Sequence, residues 1–112
     1  MEEEMGTSRR LEFIVKRYNP NPSAIDFVCF KVELRKYFPA PKLPFKLIID
    51  SDEYLTSIQE VKDGRIIIGK TFDSVSKRVI RHDLCNRHNI REGDRLLVGV
   101  LIPFQVYCLS KI

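Results

Sequence analysis

Residues 77–112 read KRVIRHDLCNRHNIREGDRLLVGVLIPFQVYCLSKI. The stretch divides into parts on inspection. A short β-branched run at 77–80 predicts a strand. Residues 82–88 are polar and predict a helix of about two turns, ended by Asn89-Ile90. Glu92-Gly93-Asp94 predicts a turn into the apolar run 95–102. Pro103 cannot donate to a ladder, so it marks a bend or the start of a strand. Residues 104–109, FQVYCL, are β-prone throughout. Strand, short helix, turn and two strands make a unit that needs further strands to cover it.

The preceding residues supply them. Residues 11–18, LEFIVKRY, predict a strand that stops at NPNPS, where two prolines block both helix and ladder. Residues 24–34, AIDFVCFKVEL, are apolar on both faces, which predicts a central strand or one bridging two layers. The two can pair as a hairpin across the proline turn. Residues 35–44 carry three prolines and predict a connector. Its Tyr37 and Phe38 are expected to close one end of a barrel rather than to form a basic-aromatic surface with Lys36, Lys42 and Lys46. Residues 45–50 predict a strand. Residues 51–57 predict a polar turn or single helical turn, with Ser51 as its cap and Asp52 and Glu53 at its positive end. Asp63-Gly64 is a preferred pair for a type I′ turn and predicts a hairpin tip. Residues 71–76 read as a loop. The sum is a mainly β chain of about seven strands with one short helix. Chains of this kind remove exposed edges by closing into a small, complete or partly open β-barrel.

A length of 112 residues bounds this to one domain, residues 11–112, behind an N-terminal tail at 1–10. The tail, MEEEMGTSRR, has no apolar core and does not read as a secretory signal. No apolar run is long enough to span a bilayer, so no membrane partner is expected. Three widely spaced cysteines, Cys29, Cys85 and Cys108, argue against a disulfide scaffold and for a reducing, intracellular setting.

The net charge is +4. Residues 77–95 hold six cations, Lys77, Arg78, Arg81, Arg87, Arg91 and Arg95, against three acids, and so supply most of that excess. Such clustering is what an electrostatic footprint for nucleic acid requires. The same arginines can also merely flank a solvated helix. Lys62, Arg65 and Lys70 extend the set around the predicted Asp-Gly hairpin.

Other chemistry is less well supplied. His82, Cys85 and His88 are spaced i, i+3, i+6 and could share one broad helix face, and imidazole and thiolate suit zinc. A structural site wants a fourth ligand, which is not apparent locally, so a buried Cys85 with surface histidines is expected and no metal is assigned. A Cys-His catalytic pair lacks a small-residue frame for an oxyanion. The acids Asp50, Asp52 and Glu53 cluster in a polar turn without an apolar wall. No glycine-rich phosphate loop exists among five glycines. No enzyme activity and no cofactor are expected.

From Asp63 onward the order of parts resembles the swapped-hairpin AbrB/MazE family of transcription regulators and antitoxins. The residues that carry the resemblance are Asp63-Gly64-Arg65-Ile66-Ile67-Ile68, Arg78-Val79-Ile80, Asp83-Leu84-Cys85, Ile90-Arg91-Glu92-Gly93-Asp94, and then LLVGV and QVYCL. Plant-type DNA-binding pseudobarrels carry a similar helix, "GD" turn and strand within one chain. The resemblance covers about the last 50 residues. Arg81 stands where the AbrB pattern usually has proline, residues 71–76 are extra, and the first 55 residues have no AbrB counterpart. A single-chain barrel is therefore at least as well matched as a swapped homodimer. The resemblance implies DNA binding through Lys62, Arg65, Lys77, Arg78 and Arg81.

The expectation is a DNA-binding transcription regulator, gripping duplex DNA with Lys62, Arg65, Lys70, Lys77, Arg78, Arg81, Arg87 and Arg91. Two alternatives stand beside it. One is a protein-interaction module or inhibitor that uses exposed strand edges or the proline-rich segment. The other is an RNA-binding barrel that stacks bases on Tyr18, Tyr37 and Phe38.

Overall fold

Leu11, Phe13 and Val15 are buried while Glu12 and Lys16 are exposed, so the first strand, β1 (Arg9–Arg17), turns one face inward. The same alternation sets β3 (Phe45–Ile49), where Phe45, Leu47 and Ile49 are buried, and β8 (Arg95–Ile102), which buries Leu96, Val98 and Val100. These period-two patterns are what a sheet with one core-facing side needs. The computed structural model describes residues 9–17, 25–59, 64–69, 71–74 and 77–112. Its other elements are β2 (Ile25–Cys29), a 3-10 helix (Val32–Tyr37), β4 (Asp52–Thr56), β5 (Ile66–Ile68), β6 (Thr71–Asp73), β7 (Arg78–Ile80), α1 (Arg81–His88) and β9 (Val106–Lys111).

The nine strands form one sheet in the order β5-β2-β1-β8-β9-β3-β4-β6-β7. All the pairings are antiparallel except β3 with β9, which is parallel. The sheet curls towards closure just past β4. There Ile58 bridges to Ile68 of β5, Gln59 N–H donates to the Ile67 carbonyl at 2.9 Å, and Gly69 N–H donates to the Ser57 carbonyl at 2.7 Å. The β6–β7 ribbon is left outside this ring, joined to β4 by the single register pair Leu55↔Asp73.

The mainly β, barrel-like class is thus as the sequence indicates, with nine strands and one short α-helix among the described residues in place of about seven strands. The additional two are β4 and β6. Residues 52–56 are strand, not a polar turn, because Asp50 and Ser51 make the whole reversal with φ +50° and +74°. Two consecutive positive φ values are the mark of a type I′ hairpin turn, whose twist suits the strands it joins. Within the predicted loop at 71–76, Thr71–Asp73 pairs with β7. The predicted second strand is shorter than expected. It ends at Cys29, and Val32–Tyr37 winds into the 3-10 helix. Asp63 lies outside the described residues. Gly64 has φ +84°, and the Ile58↔Ile68 pairing joins the arms on either side.

The two ends of the barrel are filled differently. At one, Phe38 stacks on Tyr107 with ring centroids 5.0 Å apart, and Phe13 and Phe45 meet Phe38 at about 6 Å, a spacing typical of edge or tilted aromatic pairs. Phe38 of the proline-rich connector is thus part of the core, and Tyr37 packs against it. Elsewhere α1 packs against β2, β6 and β7 and contributes Leu84 and Cys85 to the core, with Ile90 just behind it. Asn89 ends the helix in the left-handed conformation, φ +57° and ψ +45°, and Ile90 N–H donates back to the Cys85 carbonyl at 2.8 Å. No helix among the described residues is long and apolar enough to cross a membrane.

Candidate nucleic-acid interface

The basic residues singled out in the sequence are dispersed by the fold into three settings. Lys77 and Arg78 lie on the β6–β7 ribbon. Its turn is fastened by the Ser74 hydroxyl, which donates to the Lys77 carbonyl at 2.9 Å, and by Ser74 N–H to the same carbonyl at 2.8 Å. Both cations are exposed. The Arg78 guanidinium pairs with Asp73 across the ribbon, Nε to Oδ1 at 2.8 Å, and this carboxylate pushes its pKa further up.

Arg87 and Arg91 lie at the other end of α1. Both are exposed. Arg87 reaches the Tyr54 hydroxyl at 3.4 Å. Arg91 sits in the turn that enters β8, which is held when its backbone N–H donates to Asp94 Oδ2 at 2.8 Å. That turn leans on β1, since Val15 N–H donates to the Asp94 carbonyl and Gly93 N–H to the Val15 carbonyl. The contact brings Lys16 beside Glu92 and Gly93, with its Nζ 5.6 Å from the Phe30 ring centre. Nothing local in the sequence marks this approach of Lys16, because 76 residues separate it from Glu92.

Arg81 occupies the third setting and does not belong to a surface. Its side chain is only 11% exposed, its Nη2 lies 2.6 Å from Asp26 Oδ1, and it also donates to the carbonyl of Gly69. Burial lowers its pKa, and the Asp26 charge opposes that shift. The expectation that Arg81 grips nucleic acid is corrected on this geometry. Turning it outward would strand Asp26, itself mostly buried, without its counter-ion. Arg65 is half-buried at the entrance to β5. Lys62 and Lys70 lie outside the described residues, as does Tyr18.

The histidine reading also changes. The His88 side chain is 4% exposed, not at the surface. Its Nδ1 lies 3.0 Å from Asp50 Oδ2 and its Nε2 2.8 Å from the Tyr54 hydroxyl. With the proton on Nδ1, the ring donates to Asp50 and accepts from Tyr54, while Arg87 donates to the same hydroxyl. Burial raises the Tyr54 pKa, so the phenol stays a donor. The two ends of α1 are therefore pinned by polar contacts, Arg81 to β2 and β5 and His88 to the β3–β4 hairpin. Cys85 is buried, and no group of three metal-ligating side chains comes together among the described residues.

The aromatics proposed for stacking on RNA bases are partly spent. Phe38 is 3% exposed, and the Tyr37 carbonyl takes the Tyr107 hydroxyl at 2.6 Å. No family model, no curated protein and no solved structure matches this chain.

Proposed function

We propose that this chain binds double-stranded DNA as a transcription regulator. The observation that carries the reading is the β6–β7 ribbon. It lies at the end of the sheet, keeps Phe72 and Val79 in the core on one face, and displays Lys77 and Arg78 on exposed positions. A two-stranded ribbon is one of the few elements that a major groove admits. Arg78 supplies the fork suited to phosphate oxygens or a guanine edge, and its exposed partner Asp73 is a weak competitor. Arg87 and Arg91 offer further phosphate anchors at the far end of α1, and Lys16 offers one beside the Glu92-Gly93 turn. Arg81 is left out. The order β5, β7, α1, turn, β8, β9 also supports the reading, because it is the order in which the resemblance to AbrB-type and pseudobarrel domains arranges its parts.

The test is a fluorescence-anisotropy titration against random duplex DNA, single-stranded DNA and RNA at two salt concentrations. Duplex binding that weakens steeply with salt is expected, with a log–log slope near −0.9 per phosphate contact. Lys77→Ala, Arg78→Ala and Arg91→Ala should each flatten that slope by about one unit without lowering the melting temperature. Absence of binding to all three polymers at low salt would overturn the proposal, and a preference for single strands would redirect it to RNA or unpaired DNA.

A further inference from the structure

Asp73 and Arg78 form the last register pair before the end of the β6–β7 ribbon, which Ser74 and Lys77 close. The next pair back, Phe72 with Val79, has both side chains in the core. Side chains alternate along a strand, so Asp73 and Arg78 stand on the outer face, with Thr71 and Ile80 beyond them. The core holds their backbone from behind. Their side chains are in solvent, 67% exposed for Arg78 and 42% for Asp73.

The contact between them uses one edge of the guanidinium. Arg78 Nε donates to Asp73 Oδ1 at 2.8 Å, and Nη2 donates to Oδ2 at 3.4 Å. A guanidinium has a second donor edge in the same plane, made by Nη1 and the other N–H of Nη2. Among the described residues nothing takes that edge. Its two N–H groups match the O6 and N7 acceptors that guanine presents in the major groove. A two-point contact with Asp73 fixes both the plane and the rotation of the group, so the free edge has a set direction.

An exposed ion pair adds little to stability. On a surface that meets phosphates, the Asp73 carboxylate also subtracts from the attraction. A phosphate grip would work better without it. An arginine that reads a base works better with it, because its rotamer is set before the DNA arrives. Ile80 points the same way, being 49% exposed on this face beside Thr71. A phosphate site has no use for an exposed isoleucine, whereas the major groove offers it thymine methyl groups.

We infer that Asp73 is a positioning residue that aims the free edge of Arg78 at a guanine in the major groove. The inference rests on the duplex-binding reading above and adds to it the base that is read and the side chain that sets the aim. Selection from a random duplex pool with the full chain supplies the probe. Anisotropy titrations then compare the selected duplex, an unselected one, and versions of the selected duplex with deazaguanine at each guanine in turn. Deazaguanine lacks the N7 acceptor but leaves charge and base pairing unchanged. At one position the substitution should weaken wild-type binding by about tenfold. Asp73→Ala should bind the intact and substituted duplexes alike at that position. It should hold or gain affinity for the unselected duplex and keep its melting temperature. A wild type that binds no duplex would overturn the duplex-binding reading and this inference together. Duplex binding with no deazaguanine-sensitive position would overturn the inference alone. So would a sensitive position that Asp73→Ala leaves intact, or an Asp73→Ala protein weakened equally on every duplex.

Discussion

Arg81 and Asp26 form an ion pair at 2.6 Å that joins the first residue of α1 to β2, while the same guanidinium reaches the backbone of Gly69 at the end of β5. One side chain thus ties the helix to two strands at the side of the sheet where the ring closes. Removing one partner of a largely buried pair leaves the other charge uncompensated. Arg81→Ala should therefore lower unfolding free energy by about 3 kcal/mol. Urea denaturation is the measurement, and Asp26→Asn should cost less when Arg81 is already gone. A ΔΔG below about 1 kcal/mol would mean the pair is worth no more than a surface one.

At the other end of the helix, Tyr54→Phe deletes the hydroxyl that His88 and Arg87 share. The ring volume stays, so the loss is the hydrogen bonding alone, about 1 to 2 kcal/mol. His88→Ala loses this bond and the one to Asp50. A double-mutant cycle should show coupling between the two positions, and additive effects would contradict the direct bond.

Two glycines offer a controlled contrast. At Gly69, φ is +60° and an added Cβ would overlap the Thr56 hydroxyl and lie 2.9 Å from Phe72 Cζ. At Gly93, φ is +90° but nothing stands within 4 Å. Gly93→Ala should cost about 1 kcal/mol from backbone strain alone, and Gly69→Ala clearly more, because the core must also move. Melting temperatures of the two variants settle the order.

Burial pushes the Cys85 thiol from its ordinary 9.0 up to about 11, against the opposing pull of Arg81. Burial likewise raises Cys29, whereas Cys108 is half-buried. A thiol reagent at about pH 8 should label Cys108 alone in the native protein and all three after unfolding, since only the thiolate reacts. The sign of the linkage follows. The fold prefers protonated Cys85, so its contribution is complete below the unfolded value of 9.0 and is lost as pH rises through about 11. Stability that climbs across that interval would contradict the burial.

Much of the barrel is legible in the sequence because period-two runs such as those of β1 and β8 carry their own burial pattern. The missed strands had weak local signals. Residues 52–56 begin with two acids, and only the Asp50-Ser51 turn, which lacks the glycine that marks such reversals, makes them a hairpin arm. Thr71–Asp73 is too short to announce itself. For the basic residues, sequence composition places their excess at 77–95 but cannot tell a displayed arginine from a structural one. Arg78 and Arg81 are three residues apart. Strand geometry turns the first outward, and the helix start turns the second onto Asp26. That distinction depends on a partner 55 residues away.

The parallel pairing of β3 with β9 has a consequence for how the chain reaches its fold. β9 is a middle strand in space, flanked by β8 and β3, and among the described residues no other strand joins those two. During synthesis, the hairpin of β3 and β4 therefore emerges with one side waiting for residues made some sixty positions later. Contacts of such long sequence separation slow folding, because loop closure precedes any gain. Nascent lengths that stop short of Val106 leave the edges of β3 and β8 that β9 joins without their ladder partners.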